Sequence, residues 1–211
     1  MKMLHHLVAF WVLSGMINCT AQPVTTTDRE VGGPCEGCEA LFEFGERELS
    51  WRDTLPGFGM ETPQLIVTGV VYQPDGKTPA ANVIVYAYHT DRQGRYTPKP
   101  NATAWARRHG KHRGWVRTQE DGQYAFYTFR PAAYPGRDTP EHIHLTVKPP
   151  GYVPYYVDEI EFTDDPLLTP ALRSQHVRRG GPGVVTPLRI AEGWTVRRDI
   201  ILGMHIPGYE Q

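Results

Sequence analysis

At 211 residues, with 40% hydrophobic and 11% aromatic content, the chain is long enough for one domain with a real core and too apolar for general disorder. Its 22 Lys and Arg against 23 Asp and Glu leave no basic footprint, which argues against nucleic acid and for a small-molecule partner.

Residues 1–21 read as an export signal: Lys2 supplies a short basic start, and the apolar run Leu7 to Leu13 is too short to span a bilayer. Cleavage after Cys19-Thr20-Ala21 would release a periplasmic or extracellular protein. Lipid anchoring at Cys19 is the alternative, which Asn18 fits poorly. No later stretch reads as transmembrane, so the mature chain is expected to carry no membrane span. Residues 22–63 read as an N-terminal arm, polar and rich in Gly and Pro, which would suit wrapping a second copy in a homodimer. The arm holds Cys35 and Cys38. A zinc site would want four ligands and no second pair follows, and a redox motif would want a βαβ context; in an exported chain the pair reads as a small local disulfide.

The domain proper is expected over residues 64–211. Gln64 to Tyr72 is a β-branched run that ends at the turn Pro74-Asp75-Gly76, and Val83 to His89 is the next strand. A Pro-rich, basic excursion from Thr97 to Arg117 follows, with a short helical turn at Trp105 to Arg108. Asp121-Gly122 leads into the aromatic strand Tyr124 to Phe129, and the loop Pro131 to Arg137 connects it to His142 to Val147. Tyr155 to Phe162 resumes extended structure. Asp164-Asp165-Pro166 predicts a short helix with Pro early. Val184 to Ile190 and Thr195 to Leu202 close the chain as strands around Glu192-Gly193. Short strands, turn signals and little helix predict an all-β fold, a β-sandwich of mainly antiparallel strands with an irregular arm and long loops.

Within the strand beginning at His142, period-2 alternation points His142 and His144 to one face and Ile143 to the other. Two imidazoles on one rigid element would make half a metal site, or a packed pair of ordinary polar residues. His89, His109, His112, His176 and His205 lack such a pattern and read as ordinary polar residues. Trp105, Trp115, Arg137, Tyr155 and Tyr156 are candidates for shaping a pocket.

Gly69-Val70-Val71, Gly94-Arg95-Tyr96, Asp121 to Phe126, Arg130-Pro131-Ala132-Ala133-Tyr134-Pro135, His142-Ile143-His144 and Asp164-Asp165-Pro166 occur in an order that resembles the intradiol ring-cleavage dioxygenases, the family of the protocatechuate 3,4- and catechol 1,2-dioxygenases. The resemblance is good over residues 64–170 and loose beyond. It implies a non-haem Fe(III) held by Tyr96, Tyr134, His142 and His144, and hard anionic oxygen donors do suit that ion. It further implies a catechol-like substrate and O2, cleavage between the two hydroxylated carbons, Tyr134 as the ligand that gives way to substrate, and Tyr96 as the one that stays.

The chain departs from the family at two places. Thr139 stands where an arginine three residues before the His-x-His would be expected, and Arg137 is the natural substitute, making Tyr134 and Arg137 the expected catalytic residues; a solvated loop arginine is the alternative. Glu159 stands where the family has a glutamine, and an anion there would disfavour a carboxylated substrate. Two competing functions are a sandwich module that binds phenolics without turnover, and a cupin-type metal enzyme, which would leave the two tyrosines idle.

Overall fold

The computed structural model describes residues 27–210, so the expected export signal and Cys19 lie outside the described residues. Among the described residues eleven strands build two packed sheets, and the all-β expectation holds. The strands are β1 Arg52–Thr54, β2 Gln64–Tyr72, β3 Ile84–Tyr88, β4 Arg113–Arg117, β5 Gln123–Phe129, β6 His142–Lys148, β7 Tyr155–Phe162, β8 Val184–Val185, β9 Leu188–Ile190, β10 Gly193–Arg197 and β11 Ile200–Ile201. One sheet runs β1-β5-β2-β10-β9 with β11 also on β2, and the other runs β4-β3-β6-β7-β8. The long pairs β2/β5, β3/β4, β3/β6 and β6/β7 are antiparallel. Short parallel pairs, β1/β5 and β7/β8, close the edges.

Strict alternation in β2 buries Leu65, Val67 and Val71 against Val85 and Ala87 of β3 and Ile143, Leu145 and Val147 of β6. Each such side chain contributes about 1.5–3 kcal/mol of burial. The same alternation sends Ile84, Tyr86 and Tyr88 of β3 to the outer face of the second sheet, where they meet the arm: Ala40 and Leu41, from a 3-10 helix spanning Cys38–Phe42, pack on Ile84, Tyr86 and Trp115. Cys35 and Cys38 form the expected disulfide at the start of that helix. A small second core thus covers the back of the sheet that carries His142 and His144.

Several expectations need correction. The arm contains a strand, β1, whose Asp53 accepts a hydrogen bond from Trp115 N at 2.9 Å. The basic excursion contains β4 as well as the expected helical turn, α1 Ala104–His109. Asp164 to Leu168 forms turns rather than a helix, because Asp165 spends its carboxylate on Leu167 N and on Glu141 N at 2.9 and 2.6 Å. The helix α2 starts later, at Pro170–Arg173, with Thr169 Oγ1 accepting from Leu172 N at 3.3 Å. Each C-terminal run splits in two. Thr186-Pro187 sends β8 and β9 to different sheets, and the buried Arg198 interrupts the second run between β10 and β11.

Candidate metal centre

His144 pairs with Tyr88 in the β3/β6 ladder, so the outward histidines lie on the outer face beside the arm. Two loops close over them. The first leaves β3 and is stapled by Asp91, whose carboxylate accepts from Gln93 N at 2.9 Å, Arg95 N at 3.0 Å and Thr97 Oγ1 at 2.6 Å. Tyr96 sits between two of those anchors. The second loop follows β5 and is tied through Thr90 Oγ1 to Ala132 O at 2.7 Å. Beyond Ala132, Tyr134, Pro135 and Arg137 line an open cavity of about 420 Å³.

All four expected metal ligands converge. Tyr96 Oη lies 2.6 Å from Tyr134 Oη and 2.7 Å from His144 Nε2. Tyr134 Oη lies 3.0 Å from His142 Nε2 and 3.5 Å from His144 Nε2, and the two Nε2 atoms are 3.2 Å apart. A first-row metal ion bonded at about 2.0–2.2 Å to such donors would separate neighbours by about 2.8–3.6 Å. Three of the separations, 3.0, 3.2 and 3.5 Å, fall in that range, and the two contacts of Tyr96, at 2.6 and 2.7 Å, lie just below it.

The hydrogen bonds of the rings make the same point chemically. His142 Nδ1 faces Pro140 O at 2.7 Å, and His144 Nδ1 faces Glu159 Oε1 at 2.6 Å. Each Nδ1 therefore carries the proton, which leaves both Nε2 lone pairs aimed into one space. Two acceptors 3.2 Å apart repel unless a positive charge lies between them. Burial, followed by the neighbouring His144, keeps the His142 imidazole below its ordinary pKa and hence neutral. Burial and then the hydrogen bond with Tyr134 push the Tyr96 phenol far up. Burial also raises Tyr134, against the hydrogen bond from Tyr96, which lowers it. A bound cation would reverse that direction and favour the phenolate form of both. The residues present therefore fit a hard cation held by two phenolate oxygens and two imidazole nitrogens.

Around this core, Tyr88 stacks on His144 at 4.4 Å and 15°, and His109 stacks on the other face of Tyr88 at 3.8 Å. His109 also bonds Tyr86 Oη through Nδ1 at 2.9 Å. His109 and the buried pair His89 and His112 are therefore packed residues rather than ordinary polar ones. The partners that bury them lie far away in sequence. His176 faces Glu161 at 3.0 Å, and His205 Nδ1 faces Val177 O at 2.6 Å. Arg137 is exposed at the rim, close enough for its charge to lower Tyr134. Thr139 is half-buried in the same loop. Of the pocket-shaping candidates, Tyr155 lies wholly in the main core and Trp115 under the arm, while Tyr156 is exposed beside Glu159. Glu159 is the residue whose role the sequence left unread, since an anion's effect on substrate says nothing of its bond to His144.

The family model described as Dioxygenase (Dioxygenase_C) matches residues 56–186. The chain is 29% identical over 182 residues to catechol 1,2-dioxygenase 2 of Acinetobacter lwoffii, covering 72% of this chain and 62% of that protein. It is 31% identical over 119 residues to the protocatechuate 3,4-dioxygenase beta chain of Burkholderia cepacia, covering 50% and 47% respectively. The chain thus spans less than two thirds of the length of either relative. Among solved structures it superposes on the dioxygenase domain of a dioxygenase and carbohydrate-binding protein fusion from Streptomyces sp. SirexAA-E, with a TM-score of 0.54 and 22% identity over 84% of this chain and 97% of that one. Catechol 1,2-dioxygenase from Acinetobacter sp. ADP1 gives 0.55 and 20% identity over 74% and 58%.

Proposed function

The chain belongs to the intradiol dioxygenase family, and from that premise we propose that it is a non-haem Fe(III) enzyme that cleaves a catechol-like aromatic between its two hydroxylated carbons, inserting both atoms of O2. The observation that carries the proposal is the convergence of Tyr96 Oη, Tyr134 Oη, His142 Nε2 and His144 Nε2 on one space. When bound there, ferric iron supplies the positive charge that draws the diol in as an anion and prepares its ring for O2.

The residues divide the work. Tyr96, whose loop is held at Arg95 and Thr97 by Asp91, is the fixed ligand. Tyr134, which lines an open cavity with Pro135 and Arg137, would be the second phenolate ligand, and its Oη would accept a proton from the diol. Arg137, at the mouth of the same cavity, offers a positive charge to the oxygen that gains electron density as the ring is attacked. Tyr88, stacked on His144, holds one imidazole in plane and keeps water from that flank. Export through residues 1–21 would place the activity outside the cytoplasm, in the breakdown of aromatic compounds met there.

The test is oxygen uptake by ferric-loaded protein across a catechol panel. Uptake with at least one diol, in proportion to diol consumed, is expected. Iron-loaded protein that takes up no oxygen with any diol would leave a phenol-binding module as the better account.

A further inference from the structure

The two imidazoles of the centre are anchored differently. His142 gives its Nδ1 proton to a neutral acceptor near its own position, Pro140 O at 2.7 Å. His144 gives its proton to a carboxylate from the neighbouring strand, Glu159 Oε1 at 2.6 Å.

Plain pairing would not put Glu159 there. Val157 faces Leu145 and Ile160 faces Ile143, so two residues of β7, Asp158 and Glu159, stand opposite the single His144. This is a β-bulge, a device that re-aims side chains next to functional sites. Without it, alternation from the buried Val157 would turn position 159 into the core; with it, Ile160 fills the core and Glu159 is free to meet His144.

The bulge is held from several sides. Asp158 N donates to Arg179 O at 2.9 Å, and its carboxylate accepts from Arg178 N at 2.8 Å and Arg179 N at 3.1 Å. Its carbonyl accepts from the buried guanidinium of Arg198 at 3.3 Å. Tyr88 fixes the plane of the His144 ring by stacking, which leaves open which edge of the ring faces the tyrosines. Glu159 holds the Nδ1 edge, opposite the Nε2 edge that meets Tyr96 and Tyr134.

We propose that Glu159 is the positioning residue of the centre: its carboxylate locks His144 with the proton on Nδ1 and Nε2 toward Tyr96 and Tyr134, and makes His144 the stronger of the two imidazole donors. Two phenolates and this carboxylate also balance the charge of a ferric ion. The donor-strength half rests on the ferric site proposed above, whereas the locking half concerns the protein alone. A partner of this kind is worth about 10–100-fold in metal affinity.

The test compares wild type with Glu159→Gln, which keeps an acceptor oxygen without the charge, and Glu159→Leu, which removes both. In metal-free protein, nitrogen-15 NMR of the histidine side chains should show His144 protonated on Nδ1 in wild type and in E159Q, and shifted toward the Nε2-protonated form in E159L. In titrations of ferric iron against a competing chelator, E159L should bind about 10–100-fold more weakly than wild type, with E159Q between them and the visible band displaced in both. An Nε2-protonated His144 in wild type, or E159L with wild-type tautomer and iron affinity, overturns the proposal. Wild-type protein that shows the Nδ1 tautomer but binds no ferric iron upholds the locking role and overturns the ferric reading instead.

Discussion

Replacing Gly94 by alanine should disable the metal centre more than the fold. Gly94 has φ +71°, and a Cβ built on it lies 2.0 Å from Ala133 O and 2.9 Å from Pro135 Cδ. The backbone conformation alone costs an alanine about 1–2 kcal/mol. The second cost is displacement: an ordinary contact needs at least 3.4 Å, and the atom that must yield is a backbone oxygen of the residue before Tyr134. The loop carrying Tyr134 is therefore driven from the loop carrying Tyr96, whose hydroxyls now lie 2.6 Å apart. Gly151→Ala is the control, because Gly151 has φ +77° and nothing within 4 Å of its Cβ. It should lose only the backbone term, lowering Tm by roughly 2–8 °C for a domain of this size. G94A should lose more than G151A in urea or thermal unfolding, and its ferric affinity should drop by at least about tenfold, or ~1.4 kcal/mol, while G151A keeps wild-type affinity. A G94A protein as stable as G151A and with undiminished iron binding would refute the coupling of the two tyrosine loops.

Tyr134→Phe should leave the fold intact, change the colour of the ferric protein and lower turnover by at least an order of magnitude; wild-type spectra in that variant would remove Tyr134 from the ligand set. Glu159 adds a fixed negative charge beside the centre, held down at about 2 because the hydrogen bond and charge of His144 outweigh the burial that raises it. An uncharged catechol should therefore be turned over several-fold faster than a carboxylated one, and equal kcat/KM values would discard the charge-based preference. Asp91 is held below its ordinary pKa: burial raises it, but the Thr97 hydroxyl and the Arg95 and Gln93 amides lower it further. Its contribution to stability is thus complete above about pH 4 and drains away as pH falls below that. Urea midpoints measured from about pH 5 to about pH 3 should fall more steeply for wild type than for Asp91→Asn, and parallel curves would deny Asp91 that role.

Much of the fold could be read from local pattern. β2 has the bounds expected from its β-branched run, and its strict alternation is also what buries it. The four converging side chains were legible because His142 and His144 share a face by the geometry of any strand, and because Tyr96 and Tyr134 stand in motifs whose order resembles a known family. The pieces that escaped notice depend on contacts remote in sequence. β4 begins and ends with arginine and reads as part of a basic loop until Tyr86 and Trp115 are seen packed together under the arm. The helix expected at Asp165 gave way because that carboxylate is used on Glu141, 24 residues away, at the entrance to β6. Glu159 reaches His144 only through the bulge, which shifts the face of a side chain by one position and leaves no mark in hydrophobic periodicity. Among the described residues no helix is long and apolar enough to cross a membrane.

The central claim is that these four side chains hold ferric iron for intradiol cleavage. Its most direct test is a single turnover set: ferric-loaded protein, catechol and oxygen-18 gas, with the product identified by mass spectrometry. A cis,cis-muconate-type diacid carrying label from both atoms of O2 is the expected result. Recovery of an unlabelled or intact ring, or of a product cleaved outside the two hydroxylated carbons, would contradict the account.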